Sequence, residues 1–566
     1  MIRVSLALLL PLLGCTGAED PDKPDRLPDE DRDGYQNDVD CDDTNAAVNP
    51  GVARDVCNAI DDDCDREIDE DPDWSWYPDA DDDGFGDGRA DPEVTCAQYA
   101  DTVPSRSDCD DSDPSAFPGN DESCDGVDND CDGAIDEDIA GDGVWYTDAD
   151  QDGAGDPDHP VTSCQPPTGV VDNALDCDDT DSGDPLFVAT TGTGSAAGRI
   201  ASPMARVQDA MNRSHGCVVV LPGTYRETLV WPTNDIHVIS RDGPDTTILT
   251  PGTGGGPVVS FYAGQTAASV LEGFTLTGGT GYTILSQYYE LFDDEYWLQN
   301  YYITFGGGAF IVGASPTLKN LVIRDIELPG YVTSSEDSTL TTSTTDSHGG
   351  GIYVEAGSPT LEDIEIRETY AYTGGGAYFS TDADVRARRL SMRGVSAGYA
   401  ALVVARASMD VENLVIDGVS TESGWGGVLF SDADARMVNA TIVESGVAVG
   451  NWGRTHLVLR DSIIAGNDYG LLNYDGYDES TYDLWYNDFY DNPGGSYVGI
   501  PDPTGYDGNI SASPKFTSWS DGDGDAHNDD LTLTRSSPCV NAGDPAREDV
   551  DGTRADMGAY GGDGGW

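Results

Sequence analysis

Acidic segments that contain cysteine recur along the first third of the chain at intervals of about 68 residues. The tetrapeptide DCDD has its cysteine at Cys41, Cys109 and Cys177, and the segment WYPDADDDGFGD from Trp76 returns as WYTDADQDGAGD from Trp145. A region so rich in acids cannot bury enough apolar surface for a large core. Repeated cysteines in such a chain indicate a disulfide framework. The first third must therefore be stabilised by cross-links and by neutralisation of its carboxylates.

A shorter pattern, DxDxDG with a further acid or amide three residues later, lies within these repeats. Alternate carboxylates on a tightly turning backbone converge on one point, and glycine permits the turn. Hard oxygen ligands suit Ca²⁺. We predict calcium sites at Asp29, Asp31, Asp33 and Asn37; at Asp61, Asp63, Asp65 and Asp69; at Asp79, Asp81, Asp83 and Asp87; at Asp128, Asp130, Asp132 and Asp136; and at Asp148, Asp150, Asp152 and Asp156. Another loop, with Ala526 in the glycine position, consists of Asp521, Asp523, Asp525 and Asp529.

The form of these loops resembles the calcium loops of thrombospondin type 3 repeats. The whole unit, carried by CDGVDNDCDGAIDED, the DCDD boxes and WYxDADxDGxGD over residues 29–181, resembles the metal-binding repeat named for the copper-binding protein MopE. The first copy of the repeat departs from the second at Asn58, Ala59 and Arg66, which predicts weaker metal binding in that first copy. Copper is an alternative to calcium, but it favours His, Met or thiolate ligands, and residues 2–185 contain one histidine, His159, and no methionine. A solvated, disordered acidic linker is the other alternative.

The cysteine pairing cannot be determined from the sequence alone. One scheme follows the repeat and leaves Cys41 alone, and the competing scheme pairs cysteines sequentially between neighbouring loops. Without Cys15 the chain has eleven cysteines, so at least one is free or pairs unusually. The pairs of the first scheme, with one further pair in the larger region, are Cys57–Cys64, Cys96–Cys109, Cys124–Cys131, Cys164–Cys177 and Cys217–Cys539.

The first fifteen residues, MIRVSLALLLPLLGC, resemble a bacterial lipoprotein signal with its lipobox. The resemblance implies cleavage before Cys15, acylation of that thiol and anchoring at the outer membrane or cell surface; a simple cleaved signal peptide is the alternative. Residues 16–28 are expected to form a disordered tether. Residues 19–185 contain 55 acidic and 7 basic residues, and so carry 48 of the 77 net negative charges of the chain. Such a field excludes nucleic acid as a partner and favours cations.

After residue 184 the composition changes to glycine, small polar and β-branched residues. The segment GGAFIVGASPTLKNLVIRD (Gly307–Asp325) returns as GGIYVEAGSPTLEDIEIRE (Gly350–Glu368), with looser copies spaced by 25 or 26 residues. Short strands with alternating apolar residues need neighbouring coils to cover them. The sequence therefore predicts an all-β solenoid over residues 185–566, after metal-binding repeats at 29–184 with little regular structure. A helix near Val207 and Met211 begins a region that resembles right-handed parallel β-helix proteins of the pectin-lyase-like class; a β-sandwich is the alternative.

Two features of this larger region suggest ligand binding. Arg386, Arg388 and Arg389 near Asp382 and Asp384 are either a lyase base beside calcium ligands or a salt-bridged strand face. Aromatic rings flanked by polar groups can stack on sugars, and the candidates are Tyr288, Tyr289, Tyr296, Trp297, Tyr301, Tyr302, Tyr482, Trp485 and Tyr486. We predict an exported, lipid-anchored surface protein with a calcium-stabilised stalk and a β-helix that binds carbohydrate or protein. The alternatives are a polysaccharide lyase or glycosidase, and a copper-binding surface protein.

Overall fold

A computed structural model describes most of the chain after residue 28. The chain divides into two compact units. The first consists of residues 1–144 and 162–166, and the second of residues 145–161 and 167–566. Among the described residues, no helix has the length and apolar character needed to cross a membrane. The predicted acylation site, Cys15, lies outside the described residues. These are 29–69, 74–96, 98–136, 143–151, 153–157, 159–164, 166–176, 185–262, 264–292, 295–336, 341–474, 479–519, 526, 529–562 and 565.

The acidic repeats have little regular secondary structure, as predicted. Turns and bends dominate, and the strands are short. Among the described residues of the first unit, the buried apolar side chains are those of Val48, Trp76 and Ala116. The strands of the acidic repeats are β1 Ser75–Pro78, β2 Glu93–Val94, β3 Thr102–Val103, β4 Val144–Thr147, β5 Pro160–Thr162 and β6 Val170–Val171.

Four disulfides cross-link the first unit, and they differ from the predicted pairs. The bonds are Cys41–Cys64, Cys57–Cys96, Cys109–Cys131 and Cys124–Cys164. The predicted pairs Cys57–Cys64, Cys96–Cys109, Cys124–Cys131 and Cys164–Cys177 are therefore wrong, and Cys41 is not alone. The bonds join neighbouring loops, as in the competing scheme, but they interleave along the chain instead of following in sequence.

The physical reason for this pairing lies in two acidic residues that organise the cysteine loops. The Asp55 carboxylate accepts the N–H groups of Asp62 and Asp63 at 2.8 and 3.0 Å, so the chain wraps around it before Cys64. In the second copy of the repeat the Glu122 carboxylate organises the loop in the same way, since it accepts the N–H of Asp130 at 2.9 Å. The wrapped loop places its second cysteine against the preceding DCDD box instead of against its own first cysteine.

In its described residues the larger unit consists mainly of parallel strands, with one short helix and a few antiparallel pairs. Its elements are β7 Leu186–Thr193, α1 Val207–Met211, β8 Cys217–Val220, β9 Gly223–Arg226, β10 Leu229–Val230, β11 His237–Ser240, β12 Thr247–Thr250, β13 Val259–Tyr262, β14 Val270–Glu272, β15 Thr275–Thr277, β16 Tyr282–Phe292, β17 Glu295–Phe305, β18 Ala309–Val312, β19 Thr317–Glu327, β20 Val332–Glu336, β21 Thr341–His348, β22 Ile352–Gly357, β23 Thr360–Ala371, β24 Ala377–Arg393, β25 Ser396–Ala397, β26 Leu402–Ala405, β27 Ser408–Asp417, β28 Ser420–Thr421, β29 Val428–Ser431, β30 Ala433–Val443, β31 Val447–Asn451, β32 Thr455–Arg460, β33 Ile463–Ala465, β34 Tyr469–Asn473, β35 Thr481–Trp485, β36 Asp488–Tyr490, β37 Tyr497–Val498, β38 Phe516–Ser518 and β39 Asp530–Leu533.

Each coil pairs in register with the next, so inward side chains form continuous columns. Leu318 of β19 lies opposite Leu361 of β23, which lies opposite Ala387 of β24 and then Val411 of β27. All four side chains are buried. An apolar residue at the same register position in each coil buries its neighbour above and below, which a single coil cannot do. The predicted parallel β-helix and the correspondence of the repeated coils are confirmed.

Two excursions from the coils combine into one additional sheet. Strands β16 and β17 form a hairpin between β15 and β18, and β20 and β21 form another between β19 and β22. The strand order is β16-β17-β21-β20, because β17 pairs in parallel with β21. The base of this four-stranded sheet packs on the coils, where the Phe305 ring lies 4.7 Å from that of Tyr353. The second hairpin, β20 with β21, is formed by a segment rich in serine and threonine.

The C-terminal segment is bound along the turns of the coils. Asn413 Nδ2 donates to the carbonyl oxygens of Ala559 and Gly561, both at 2.9 Å. Arg547 donates to Asp461 Oδ2 at 2.9 Å, and Asp461 is completely buried.

The two cysteines predicted to join the ends of the β-helix do not pair. Cys539 carries a free, buried thiol, which donates to Asp488 Oδ2 at 3.2 Å. Cys217 is disulfide-bonded. The predicted pair Cys217–Cys539 is therefore wrong, because the buried carboxylate of Asp488 already serves as the hydrogen-bond partner of the Cys539 thiol. The odd cysteine count is explained by this free thiol.

Candidate metal centre

The loop that begins at Asp79 is held in shape by its own backbone. The N–H of Gly84 donates to Asp79 Oδ2 at 3.2 Å, that of Asp83 to Asp81 Oδ1 at 3.3 Å, and that of Phe85 to Asp83 Oδ1 at 2.7 Å. Gly84 has a φ of 94°, which favours glycine at this turn. Each carboxylate therefore has one oxygen fixed by an amide.

The second oxygen of each carboxylate has no such partner. Asp79 Oδ1, Asp81 Oδ2 and Asp83 Oδ2 are buried and accept no hydrogen bond from the residues that the structure describes. The three side chains each offer an oxygen, and these atoms lie within 4.8 Å of one another. Buried polar atoms are normally satisfied. Three carboxylates that come together, each with a buried oxygen that accepts no hydrogen bond among the described residues, are a donor set that suits a hard divalent cation.

The same pattern recurs in the other loops. The N–H groups of Gly34, Gly133 and Gly153 donate to the first aspartate of their loops, at 3.3, 3.1 and 3.3 Å. The oxygens of Asp29, Asp31 and Asp33 also lie within 4.8 Å of one another. In the loop from Asp148, Asp152 lies outside the described residues, as do Asp521, Asp523 and Asp525 of the C-terminal candidate.

Arg66 takes the glycine position in the loop from Asp61 without changing the hydrogen bond. Its φ is 86°, and its N–H donates to Asp61 Oδ2 at 3.0 Å. Asp61, Asp63 and Asp55 each offer an oxygen within 4.8 Å of the others. The substitution therefore adds backbone strain, while the converging oxygens are kept.

The last predicted ligand of several loops has a different role. Asp69 Oδ1 accepts the N–H groups of Asn58 and Ala59 at 3.0 and 3.1 Å. Asp136 Oδ1 accepts the equivalent N–H groups of Asp125 and Gly126 at 3.1 and 2.9 Å. These carboxylates close the turn that precedes the loop, so the first three acids carry the metal-binding geometry.

Electrostatics in these loops favours a cation. Burial raises the pKa of Asp83, and the neighbouring carboxylates of Asp81 and Asp79 raise it as well. Burial likewise raises the pKa of Asp31, with repulsion from Asp33 and Asp40 adding to the effect. A divalent ion would offset both causes, since it replaces lost hydration and neutralises like charges.

Soft-metal ligands are scarce in the same region. The sulfur atoms that lie near Asp40 and Asp108 belong to the disulfides Cys41–Cys64 and Cys109–Cys131, so they are not thiolates. His159 is exposed, with Nδ1 2.5 Å from Asp156 Oδ2. The donor chemistry of the described loops therefore fits calcium better than copper.

A second candidate site is an open groove on the β-helix, with a volume of about 900 Å³. Successive coils place Asp384, Asp434 and His456 at the same register position, with Ser408 between the two acids. His456 Nδ1 lies 3.1 Å from Asp434 Oδ1, and Nε2 lies 3.5 Å from Asp483 Oδ2. Burial lowers the pKa of His456, but these hydrogen bonds outweigh burial, so the pKa is raised.

The arginine cluster lies outside this groove. Arg389 Nη2 donates to Asp363 Oδ2 at 2.8 Å. Arg386 and Arg388 line a neighbouring surface with Asp410, Glu412 and Arg436, where Arg436 donates to the two acids at 2.7 and 3.1 Å. Of the two predicted roles, this arrangement fits the salt-bridged strand face. Asp382 and Asp384 line the groove itself.

The aromatic candidates divide between an exposed sheet and the coils. Strand alternation places Tyr288, Trp297 and Tyr301 on one face of the four-stranded sheet and Tyr289, Tyr296 and Tyr302 on the other. The Tyr288 and Tyr301 rings are stacked, with centroids 6.4 Å apart, and Tyr289 and Tyr296 are 69% and 67% exposed.

The three aromatic candidates of the coils differ in exposure. Trp485 is partly exposed. Tyr482 packs against the main core and accepts a hydrogen bond from Asn451 at 2.9 Å. Tyr486 packs against a second buried cluster, with Arg554 over its ring. The sheet therefore holds the more accessible rings.

Comparison with known proteins identifies the acidic segments. Residues 40–70 and 108–137 match the model of the MopE copper-binding family, described as "Putative metal-binding motif". Each of these segments carries the MopE-type motif. No curated protein matches the chain.

Solved structures that are similar to the chain share little identity with it. Pectate lyase Pel9A is 14% identical, with a TM-score of 0.36, and the match covers 66% of this chain and 95% of that one. A rhamnogalacturonan lyase is 13% identical, with a TM-score of 0.30 and coverage of 62% and 96%. The GH136 lacto-N-biosidase from Eubacterium ramulus is 11% identical, with a TM-score of 0.22 and coverage of 57% and 66%. The β-helix assignment stands on the strand register of this chain.

The sequence reasoning missed acidic residues of the DCDD boxes, which begin the MopE-type motifs. Asp40 and Asp108 are 8% and 2% exposed, although aspartate is rarely buried. Burial raises the pKa of Asp108 to about 6, and the carboxylates of Asp83 and Asp81 contribute. The signal available in the sequence was the recurrence of the box after the loops that begin at Asp29, Asp79 and Asp148.

Proposed function

We propose that this protein is an exported, lipid-anchored surface protein whose acidic repeats bind calcium and form a stalk, and whose β-helix binds a carbohydrate ligand. The observation that carries the metal part is the cluster of Asp79, Asp81 and Asp83, whose carboxylates come together and each keep one buried oxygen without a hydrogen bond while a backbone amide holds the other. Hard oxygen donors and the absence of thiolates among the described repeats support calcium over copper. Four disulfides fit a non-reducing compartment.

The ligand part of the proposal is supported by the four-stranded sheet. Its aromatic rings alternate with hydroxyl and amide side chains, and Tyr289 and Tyr296 are largely exposed. Flat rings beside hydrogen-bonding groups suit the apolar faces and hydroxyls of sugars. The acidic character of the chain disfavours anionic ligands, so a neutral glycan fits better than a polyuronate.

The metal part is tested by equilibrium dialysis of the full mature chain, with disulfides intact, against Ca²⁺, Mg²⁺ and Cu²⁺ at constant ionic strength. We expect saturable binding of several calcium ions per chain and slower amide exchange in the DxDxDG loops. Stoichiometric copper binding without a calcium response would reject this proposal in favour of metal capture.

The ligand part is tested on a glycan array with the double variant Tyr289→Ala/Tyr296→Ala. Binding by the wild-type chain should be lost in this variant. The matched control is Tyr506→Ala, because Tyr506 is 73% exposed but lies outside the sheet. Equal binding by all three proteins would exclude the sheet as the ligand surface.

A second candidate function is glycan cleavage in the groove. The specific observation is the column that contains Asp384, Asp434 and His456, since a pair of acids facing one groove is what a glycosidase requires and these two acids lie two coils apart. Cleavage would release reducing ends, and a lyase would instead release unsaturated, ultraviolet-absorbing products. The Asp434→Asn variant should abolish either signal, and a signal that survives this substitution would exclude the groove.

A further inference from the structure

We propose that the DCDD boxes supply metal ligands to the DxDxDG loops that directly precede them, so that each of these sites is built from two segments of the chain. This inference rests on the proposed calcium binding and names part of its ligand set. In the best described case, Asp108 joins Asp79, Asp81 and Asp83. The ion would then bridge a loop outside the MopE-type motif to the first residue of the motif's DCDD box.

Backbone contacts hold the box against the loop. The N–H of Asp108 donates to the Gly86 carbonyl at 3.1 Å, and the N–H of Gly88 donates to the Asp108 carbonyl at 2.8 Å. At the other end, Asp111 Oδ1 accepts the N–H of Ala80 at 2.8 Å. The box is therefore fixed at both the second residue and the end of the DxDxDG loop.

One of the two Asp108 carboxylate oxygens accepts a hydrogen bond, and the other accepts none from the described residues. Its Oδ1 accepts the N–H of Asp110 at 2.7 Å. Its Oδ2 is buried and accepts no hydrogen bond within the described part of the chain, and Asp108 is 98% buried as a residue. Asp81 and Asp83 are close enough to interact electrostatically with it. A buried, unpaired carboxylate beside two others is costly unless a cation compensates it.

The first repeat reproduces this arrangement. Asp40 Oδ1 accepts the N–H of Asp42 at 2.9 Å, and Asp43 Oδ1 accepts the N–H of Glu30 at 3.2 Å. The Oδ2 atoms of Asp40 and Asp43 are buried and accept no hydrogen bond from described residues. Asp40 interacts electrostatically with Asp31 of the adjoining loop. Two boxes 68 residues apart thus each keep a buried carboxylate oxygen that accepts no hydrogen bond from the described residues.

The third box is placed similarly by its backbone. The N–H of Asp176 donates to the Gly155 carbonyl at 3.0 Å, which corresponds to the contact of Asp108 with Gly86. Asp176 is 2% exposed. In the first repeat the N–H of Asp40 donates to the Gln36 carbonyl at 3.0 Å, at the equivalent position. The recurrence of one contact in three repeats shows that the docking of the box is a property of the repeat and not of one loop.

The disulfides extend this connection to the next loop. Cys109 of the box is bonded to Cys131, which lies within the loop that begins at Asp128. Cys41 is bonded in the same way to Cys64, within the loop from Asp61. Each box would therefore be joined to the preceding loop through a metal ion and to the next acidic loop through a disulfide. Metal ions and disulfides would alternate as cross-links along the repeats.

The test compares Asp108→Asn with Asp110→Asn in the full mature chain. Asparagine at position 108 keeps the oxygen that accepts the Asp110 N–H but removes the anionic ligand. Asp110 is the matched control, because it belongs to the same box but is exposed. Calcium binding is measured by equilibrium dialysis, and amide exchange by mass spectrometry reports on residues 79–88 separately from residues 128–136.

We expect Asp108→Asn to weaken one calcium site by about tenfold or more. Calcium should then no longer slow exchange in residues 79–88, while protection of residues 128–136 remains and Asp110→Asn behaves as wild type. If Asp108→Asn loses its disulfides, Asp40→Asn provides the same test in the first repeat with residues 29–37 as the reporter. Unchanged calcium binding in correctly bonded variants at both boxes would overturn the two-segment site. A wild-type chain that binds no calcium would overturn the proposed function itself, which is a distinguishable result.

Discussion

Removal of the Cys109–Cys131 disulfide should destabilise the acidic repeats strongly. The bond closes a loop with a sequence separation of 22, and loop-closure entropy then gives about 3 kcal/mol of stabilisation. The apolar core cannot compensate for this loss, because the buried apolar side chains in the described part of the first unit are Val48, Trp76 and Ala116. The double variant Cys109→Ser/Cys131→Ser should therefore open locally even though the β-helix stays folded.

Amide exchange measured by mass spectrometry on the full chain is the appropriate assay, since two units do not give one unfolding transition. A loss of about 3 kcal/mol corresponds to exchange that is about a hundredfold faster in residues 110–130. Cys539→Ser is the control, because it removes a thiol that is not disulfide-bonded. Exchange in residues 110–130 that matches wild type in the double variant would refute the view that cross-links replace a core there.

Three further predictions concern the β-helix. Leu361→Ala opens a cavity in a fully buried column and should lower the free energy of unfolding of the β-helix by about 3 kcal/mol, measured by native-state amide exchange in the coils. Arg547→Leu leaves the buried carboxylate of Asp461 with Arg460, 3.5 Å away, as its remaining ion pair among the described residues, and should cost about 2 kcal/mol by the same measurement. His456 should titrate in NMR spectra above about 6.5, and Asp434→Asn should lower that pKa. Its contribution to stability is complete below about pH 6.5 and is lost as the pH rises through the raised pKa.

Controls separate these effects from general damage. Leu361→Met keeps the volume of the side chain and should cost much less than the alanine variant. Arg547→Lys keeps the charge and should recover part of the lost stability. A titration of His456 that is unchanged by Asp434→Asn would show that this carboxylate does not act on the imidazole.

Local patterns were the features that the sequence predicted well. The DxDxDG loops could be recognised because three carboxylates and a turn residue lie within six positions of one another. The coil correspondence of Leu318 with Leu361 could be recognised because each coil repeats the same alternation of apolar residues. In both cases the interacting groups are fixed by sequence spacing alone.

Long-range contacts were the features that the sequence did not determine. Cys41 pairs with Cys64 because the chain wraps around Asp55, and no local spacing reveals that wrapping. Asp108 reaches a loop that begins 29 residues earlier, so its burial could not be inferred from the loop pattern. The two hairpins of the four-stranded sheet are separated by β18 and β19, and their pairing depends on how the coils stack.

The scarcity of buried apolar side chains in the acidic repeats also determines what happens when this region unfolds. When its ions or disulfides are lost, the chain exposes carboxylates and almost no hydrophobic surface, so the repeats should swell and repel one another without aggregating. The β-helix is the opposite case, since unravelling would expose long apolar columns and unpaired strand edges. Removal of the proposed calcium ions should therefore unfold the repeats reversibly, whereas thermal denaturation of the coils should be irreversible.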